Sequence, residues 1–147
     1  MKVKIGKYPD HCPWSNWLYD KFGYSPKQKI KVHIDKWDTW SMDHTLAPII
    51  LPMLIQLKET KHGAPYVDID DCPKDLRPKE QDEHGTDDTH FARWDWVLDE
   101  MIYAFDCKAN KDDVYMRFDD ALDMEREQHR ISNGVRLFGK YYENLWD

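Results

Sequence analysis

Two segments near the start of the chain alternate apolar and polar residues. Met1–Tyr8 alternates lysine with valine and isoleucine, and Lys27–Asp35 places Lys29, Lys31 and His33 between β-branched residues. Alternation with a period of two is typical of half-exposed strands. The two segments are therefore predicted to pair as a two-stranded β-ribbon, which needs helices to cover it because an isolated ribbon is only marginally stable.

Apolar residues at helical spacing occupy most of the remaining chain. They predict three to four helices: a short one at Pro13–Phe22, one from Asp38 or Ser41 to Lys61, one from Thr86, Asp87 or Asp88 to Phe105, and one from Asp113 to Leu145. Pro52 is expected to bend the second helix. Gly134 and Gly139 are expected to mark a close approach to a neighbouring helix. Residues 64–86 are polar, acidic and proline-bearing, which predicts a surface loop.

Each of the two long C-terminal helices has a predicted apolar stripe. The third helix has its stripe at Trp94, Leu98, Ile102 and Phe105. The last helix has its stripe at Val114, Phe118, Leu122, Ile131, Val135, Phe138, Tyr142 and Leu145. With 147 residues the chain fits one domain. The predicted fold is mainly α (α+β), a single domain over residues 1–147 with a small N-terminal β-ribbon.

The composition excludes some classes of function. The chain contains seven tryptophans and has a formal net charge of −7. An acidic chain is a poor general nucleic-acid binder, because such proteins need a cationic face. A small basic pocket within an acidic shell remains compatible with this charge, and so does an acidic surface that binds a basic partner. So many indole rings indicate a well-filled core or a stacking surface.

The cysteines and the hydropathy pattern bear on the compartment. Cys12, Cys72 and Cys107 are widely spaced and match no zinc-finger pattern. With no signal-like start, reduced thiols in a cytoplasm are the expectation. The longest apolar stretch, Leu46–Leu57, is too short and too often interrupted to span a bilayer. No membrane association is expected.

Three blocks of sequence resemble a known family. They are IDKWDTWSMDHTLAPIILPMLIQLKETKHGAP at Ile34–Pro65, HFARWDWVLDEMIYAFD at His90–Asp106 and RISNGVRLFGKYYENLWD at Arg130–Asp147. Together they resemble a family of hypothetical proteins of tailed bacteriophages, including phages of marine bacteria. The resemblance implies a phage source and hence action in the host bacterial cytoplasm. It implies no reaction and no role for any residue.

The first group of candidate functional residues surrounds the predicted start of the second helix. Three carboxylates and an imidazole lie within ten residues: Asp35, Asp38, Asp43 and His44. Such side chains bind divalent cations, so Mg²⁺ or Mn²⁺ is one hypothesis for this segment. Trp37, Trp40 and His44 are candidate ligand contacts. The competing interpretation, which is favoured, is that Asp38 and Asp43 cap the helix while the tryptophans pack beside it.

The second group lies on the third predicted helix. His90, Arg93 and Trp94 are candidate ligand contacts, and Asp95 and Asp99 are candidate metal ligands. The two aspartates are four residues apart, so they repel each other unless a cation or a ligand lies between them. The favoured alternative is a solvated acidic face opposite an apolar stripe.

The third group lies near the C-terminus and is named the tail strip: Asn133, Arg136, Lys140 and Tyr141. Arginine grips phosphate through two parallel hydrogen bonds, and aromatic rings stack on bases, so this pattern suits a nucleotide. The alternative is that its cations pair with the many acidic residues elsewhere in the chain. A net charge of −7 makes that pairing easy, and this interpretation is slightly favoured.

These patterns leave three hypotheses for function. The favoured one is a phage protein that binds a small anionic, nucleotide-like ligand without turning it over and so sequesters a host immune signal, acting as a homo-oligomer with no cofactor. The alternatives are a metal-dependent phosphate-ester hydrolase using Mg²⁺ or Mn²⁺, and an inhibitor or adaptor that binds a host protein. No complete catalytic motif is present in the sequence, and this is why the non-enzymatic hypothesis is favoured.

Overall fold

The computed structural model describes residues 1–8, 13–24, 27–78, 87–110 and 120–146. It is mainly helical and has a small N-terminal β-ribbon, as predicted from the sequence. The chain divides into two compact units, Met1–Met42 and Asp43–Asp147. Among the described residues, no helix is both long enough and apolar enough to cross a lipid bilayer.

The N-terminal unit contains an antiparallel ribbon and a short helix. Strands β1 (Lys2–Ile5) and β2 (Ile30–His33) pair so that Val3 lies opposite Val32. Helix α1 spans Pro13–Phe22, the range that the sequence predicts. Gly23 ends it with a φ of 62°, and its N–H donates to the Tyr19 carbonyl at 2.8 Å. Glycine adopts this left-handed conformation without steric cost, which is why it commonly terminates helices.

The C-terminal unit is built on three long helices. They are α2 (Met42–Thr60, whose first residue belongs to the N-terminal unit), α3 (His90–Asn110) and α4 (Ala121–Lys140). Short 3₁₀ helices lie at Ile69–Asp71, Lys74–Leu76 and Tyr142–Asn144. The described part of the predicted loop, residues 64–78, thus carries two of these turns, and Val67 in it is buried. Residues 79–86 lie outside the described residues.

The core of this unit lies between the three helices. Its buried side chains include Leu51 and Leu54 from α2, Trp94 and Met101 from α3, and Leu137 from α4. Helix α2 continues through Pro48 and Pro52, although neither nitrogen can donate a helical hydrogen bond. Apolar side chains on α2 pack into this core, and such packing stabilises a helix more than intrinsic propensity does.

The sequence misplaces parts of the last two helices. Helix α3 ends at Asn110 rather than Phe105, and α4 ends at Lys140 rather than Leu145, where the chain tightens into a 3₁₀ turn. Residues 111–119, which include the predicted start of α4, lie outside the described residues.

The apolar stripe predicted for the last helix is only partly correct. Leu122 and Val135 are 62 % and 42 % exposed, whereas Ile131, Gly134 and Leu137 are buried. The buried side of α4 is therefore the side that carries Gly134, and it is rotated relative to the predicted apolar stripe. A small residue at that position lets α4 approach α3 closely, and the rest of the buried face follows from that contact.

Candidate functional site

The tail strip surrounds one buried carboxylate. Arg136 Nη2 lies 2.8 Å from Asp71 Oδ1, and the Tyr141 hydroxyl donates to Asp71 Oδ2 at 2.8 Å. Lys140 Nζ forms an ion pair with the same Oδ2 at 2.5 Å. Asn133 accepts from the Arg136 guanidinium at 2.9 Å. The structure therefore brings all four predicted residues together, around an acid that the sequence did not single out.

The electrostatics of this cluster favour its ionised form. Burial opposes charge on Asp71, but hydrogen bonds from Lys140, Tyr141 and Arg136 hold the pKa of its carboxyl below the usual value. The hydrogen bond to Asp71 raises the pKa of Lys140. Burial, together with the bond to Asp71, raises the pKa of Tyr141 to about 12. Arg136 and Lys140 of the tail strip are thus paired with an acidic side chain of the protein itself.

The three candidate contacts on α3 are buried. Arg93 is 1 % exposed and forms a two-pronged ion pair with Asp87 at 2.6 and 2.9 Å. Trp94 is also 1 % exposed, and its ring meets the Tyr141 ring edge-on with centroids 5.8 Å apart. The His90 ring donates from Nε2 to the Ala64 carbonyl at 3.0 Å. All three side chains therefore contribute to the packing and hydrogen bonding of the core and its borders.

The two aspartates on α3 pair with one lysine near the end of α2 and another just beyond it. Lys58 Nζ lies 2.5 Å from Asp99 Oδ1, and Lys61 Nζ lies 2.5 Å from Asp95 Oδ1. Two lysines thus relieve the repulsion that the spacing of the aspartates creates. The cation beside each carboxylate is therefore a lysine of the protein itself.

The candidate ligands Asp43 and His44 join the start of α2 to the end of α3. Lys108 Nζ lies 2.7 Å from Asp43 Oδ2, and His44 Nδ1 donates to the Lys108 carbonyl at 2.8 Å. The hydrogen bond from Lys108 holds the pKa of Asp43 below its usual value. Asp43 is therefore ionised and already paired with a cation.

The remaining candidates belong to the N-terminal unit. Asp38 accepts a hydrogen bond from the Asp35 N–H at 2.7 Å, which closes a turn ahead of α2 rather than capping the helix. Both carboxylates also lie near the Met1 amino group, at 2.7 Å for Asp38 and 3.4 Å for Asp35. Trp37 and Trp40 contact each other with centroids 5.9 Å apart and are 67 % and 81 % exposed. These two rings are accessible to a ligand.

The proposed metal ligands do not converge within the described part of the chain. Residues 1–8, 13–24, 27–78, 87–110 and 120–146 contain no group of three or more His, Cys, Asp or Glu side chains placed to hold a metal ion. The Cys72 thiol is 6 % exposed, and burial raises its pKa above the usual value. Nearby Arg93 and Arg77 oppose this rise of the pKa without cancelling it, and Asp71 adds to it, so Cys72 is a poor nucleophile.

Sequence reasoning missed a cationic surface on the ribbon. In the strand register Lys4 lies opposite Lys31, and Lys2 lies opposite His33. Partners in a register share a face, and alternate residues do as well. One face, named the basic face, therefore carries Lys2, Lys4, Lys29, Lys31 and His33, all of them exposed. The signal was present in the alternation of the two segments, but the register was needed to align the lysines.

The basic face differs from the C-terminal unit in how its lysines are paired with carboxylates. Within the described residues, its four lysines form no ion pair with a carboxylate, whereas His33 lies 3.1 Å from Asp35. Residues 1–42 contain eight lysines and four aspartates and so carry a formal charge of +4. Because the whole chain carries −7, residues 43–147 carry −11. The overall acidic charge therefore conceals a basic N-terminal unit.

The C-terminal unit also has an open depression, named the apolar groove. It has a volume of about 840 Å³ and lies between α2 and the end of the chain. Its lining includes Ile50, Met53, Leu57, Phe138, Tyr142 and Trp146. Met53, Tyr142 and Trp146 are 60–65 % exposed. Exposed apolar surface of this kind is a common mark of a binding site.

Comparison of the chain with protein-family models, with curated proteins and with solved structures gives no match. Any functional conclusion therefore depends on the surfaces described above.

Proposed function

We propose that the protein binds an anionic, nucleotide-containing ligand without turning it over, and that the N-terminal unit makes the contact. The observation that carries this proposal is the pairing of Lys4 with Lys31 on the exposed basic face. Like charges directly opposite each other destabilise a ribbon unless an anion lies between them. A phosphate group supplies that anion.

The spacing of the basic face suits more than one phosphate. Alternate residues along a strand are about 6.7 Å apart, so the three cross-strand rows of this face extend over roughly 13 Å. A single phosphate contacts one row only. A ligand with two or more phosphates, such as a cyclic or linear oligonucleotide, engages several lysines at once.

The exposed aromatic rings of the same unit suit the bases of such a ligand. Trp40 is 81 % exposed and Trp37 is 67 % exposed. Stacking of a base on an aromatic side chain contributes about 1–3 kcal/mol and tolerates any base. Phosphates on lysines and bases on indoles together define a nucleotide rather than a simple anion.

The ion pairs of the candidate metal ligands support binding rather than turnover, because a hydrolase would need these carboxylates to hold a metal ion. Asp43, Asp95 and Asp99 each lie within 2.7 Å of a lysine ammonium group. The resemblance to phage proteins adds a biological setting to the proposal: the ligand is a nucleotide signal of host immunity, sequestered in the cytoplasm of an infected bacterium. The hydrolase and the host-protein adaptor remain the alternatives.

The test is a binding measurement on matched charge variants. Native mass spectrometry and calorimetry with a panel of mononucleotides, cyclic oligonucleotides and short single-stranded DNA and RNA identify the ligand source. Lys4→Glu is expected to weaken binding by about tenfold or more, with a smaller dependence on salt because phosphate contacts are lost. Lys74→Glu makes the same charge change on an exposed residue of the C-terminal unit and should bind like the wild type.

The outcomes separate the hypotheses. Binding that is lost in Lys4→Glu and in Trp40→Ala, with the ligand released intact on denaturation, supports the proposal. Equal binding by all variants shows that the ribbon is not the site and returns attention to the tail strip. A ligand recovered as a cleaved product indicates the hydrolase instead. No bound nucleotide in any arm overturns the proposal in favour of a protein partner.

A further inference from the structure

The N-terminal unit lacks an apolar core among its described side chains. Within residues 1–8, 14–24 and 27–42 the only buried side chain is that of Ser15. All four tryptophans of the unit, Trp14, Trp17, Trp37 and Trp40, are 54–81 % exposed. A unit of about 40 residues with a two-stranded ribbon rarely stays folded without further burial. A partner that covers part of this surface would therefore stabilise the unit.

We propose that helix α1 of a second copy of the chain occupies the apolar groove. In a dimer with two-fold symmetry each copy inserts its α1 into the groove of the other, so the contact occurs twice. The groove is open and apolar, and α1 presents large aromatic rings on an exposed side. Insertion of an amphipathic helix into an apolar groove is a recurrent mode of protein recognition.

The two tryptophans of α1 have the spacing of anchor residues in this mode. Trp14 and Trp17 are one turn apart, and Trp17 contacts Phe22 with ring centroids 5.9 Å apart. All three are exposed, at 54 %, 54 % and 67 %. The three rings are thus available on the exposed surface of α1, and Lys21 Nζ lies 5.1 Å from the centre of the Trp17 ring.

The buried area is sufficient for a stable dimer. Aromatic side chains present about 150–250 Å² each, and these three are 54–67 % exposed, so they can bury roughly 250–450 Å² more on one side of one contact. Counting both sides of two symmetric contacts gives on the order of 1,000–1,800 Å², which overlaps the size range of specific, stable interfaces.

The charges of the two surfaces are complementary. The unit that supplies α1 has a formal charge of +4, and the unit that supplies the groove has a formal charge of −11. Glu59 and Glu143 are exposed next to the groove residues Thr60 and Tyr142. Opposite charges steer encounter and fix the orientation of two partners. Two grooves facing each other would instead bring like charges together, so α1 is the better occupant.

The test uses full-length chains with one surface altered at a time. Sedimentation velocity measures the dimer dissociation constant of the wild type, of Trp17→Asp on the helix and of Met53→Asp in the groove. Each variant is expected to raise that constant at least tenfold. Leu122→Asp is the matched control, because Leu122 is 62 % exposed on α4 and does not line the groove.

Mixing the two variants gives the decisive result. Trp17→Asp retains an intact groove and Met53→Asp retains an intact α1, so the mixture is expected to form heterodimers through one undamaged contact. A monomeric wild type, dimers that persist in both variants, or a mixture that stays monomeric would each overturn the proposal. If an aspartate variant loses helical circular dichroism, Trp17→Ser and Met53→Ser repeat the test with a smaller perturbation. Nucleotide plays no part in this measurement.

Discussion

Gly134 of α4 lies directly against the backbone carbonyl of Glu100 on α3. A β-carbon placed on Gly134 would lie 2.3 Å from that oxygen and 2.6 Å from the Ala104 β-carbon. No side chain fits there without separating the helices. The Glu100 side chain is itself buried, and the Arg130 guanidinium donates two-pronged hydrogen bonds to it at 2.7 and 3.1 Å.

Gly134→Ala is therefore expected to destabilise the protein by about 1–3 kcal/mol or more, because both helix backbones must move. Urea denaturation followed by circular dichroism measures the change. Gly139→Ala is the control, since nothing lies within 4 Å of its added β-carbon. That substitution should stabilise the helix by roughly 0.5–1 kcal/mol. Equal effects of the two variants would contradict the close crossing.

The buried guanidinium of Arg93 gives a second prediction. Arg93→Ala leaves Asp87 without its main partner and removes a hydrogen bond to the Leu76 carbonyl. Loss of one partner from a buried ion pair costs about 3–5 kcal/mol. Arg126→Ala breaks an exposed pair with Asp123 and should change the unfolding free energy by no more than about 0.5 kcal/mol. A small effect at Arg93 would mean that water replaces its contacts.

The Asp71 cluster predicts a specific dependence of stability on pH. The pKa of Asp71 is lowered in the folded state, so its contribution to stability is present above the unfolded pKa of about 3.9. That contribution is lost as the pH falls towards the folded pKa. Asp71→Asn should thus be less stable than the wild type at pH 6, and the difference should shrink as the pH falls below about 4.

Chemical denaturation across that pH range measures both curves. Asp123→Asn serves as the control because Asp123 lies on the exposed surface of α4. Its curve should run parallel to that of the wild type. A constant difference between wild type and Asp71→Asn would show that the cluster stabilises the fold through shape rather than through charge.

The ribbon gives a fourth prediction, which separates stability from binding. Lys4→Glu replaces a like-charge pair opposite Lys31 with an opposite-charge pair, and such cross-strand pairs contribute roughly 0.2–1 kcal/mol. Amide hydrogen exchange in β1 should therefore slow in this variant. Faster exchange would mean that any loss of nucleotide binding reflects an unfolded ribbon rather than a missing charge.

Local patterns predicted the elements well where short-range chemistry decides them. Pro13 and Gly23 mark the limits of α1, and period-two alternation marks the ribbon. The end of α4 was misplaced because Tyr142 and Leu145 continue the apolar spacing. The chain nevertheless tightens into a 3₁₀ turn there, beside Tyr141, whose hydroxyl is held by Asp71. That contact spans 70 residues and leaves no local signal.

The candidate site was harder to predict for the same reason. The sequence grouped the tail strip because Asn133, Arg136 and Lys140 are one turn apart on α4 and Tyr141 follows directly at its end. It could not identify Asp71 as the partner, since nothing distinguishes that residue from its acidic neighbours. Nor could the sequence show that Lys58 and Lys61 meet Asp99 and Asp95. Pairings between distant elements depend on the fold and not on the local pattern.

The ion pairs between α2 and α3 have a consequence for the orientation of these helices. Asp43 near the start of α2 meets Lys108 near the end of α3, whereas Lys58 near the end of α2 meets Asp99 closer to the start of α3. Reversing one helix would bring acid to acid at one end and base to base at the other. The pairs therefore favour the antiparallel arrangement of α2 and α3 over the parallel one.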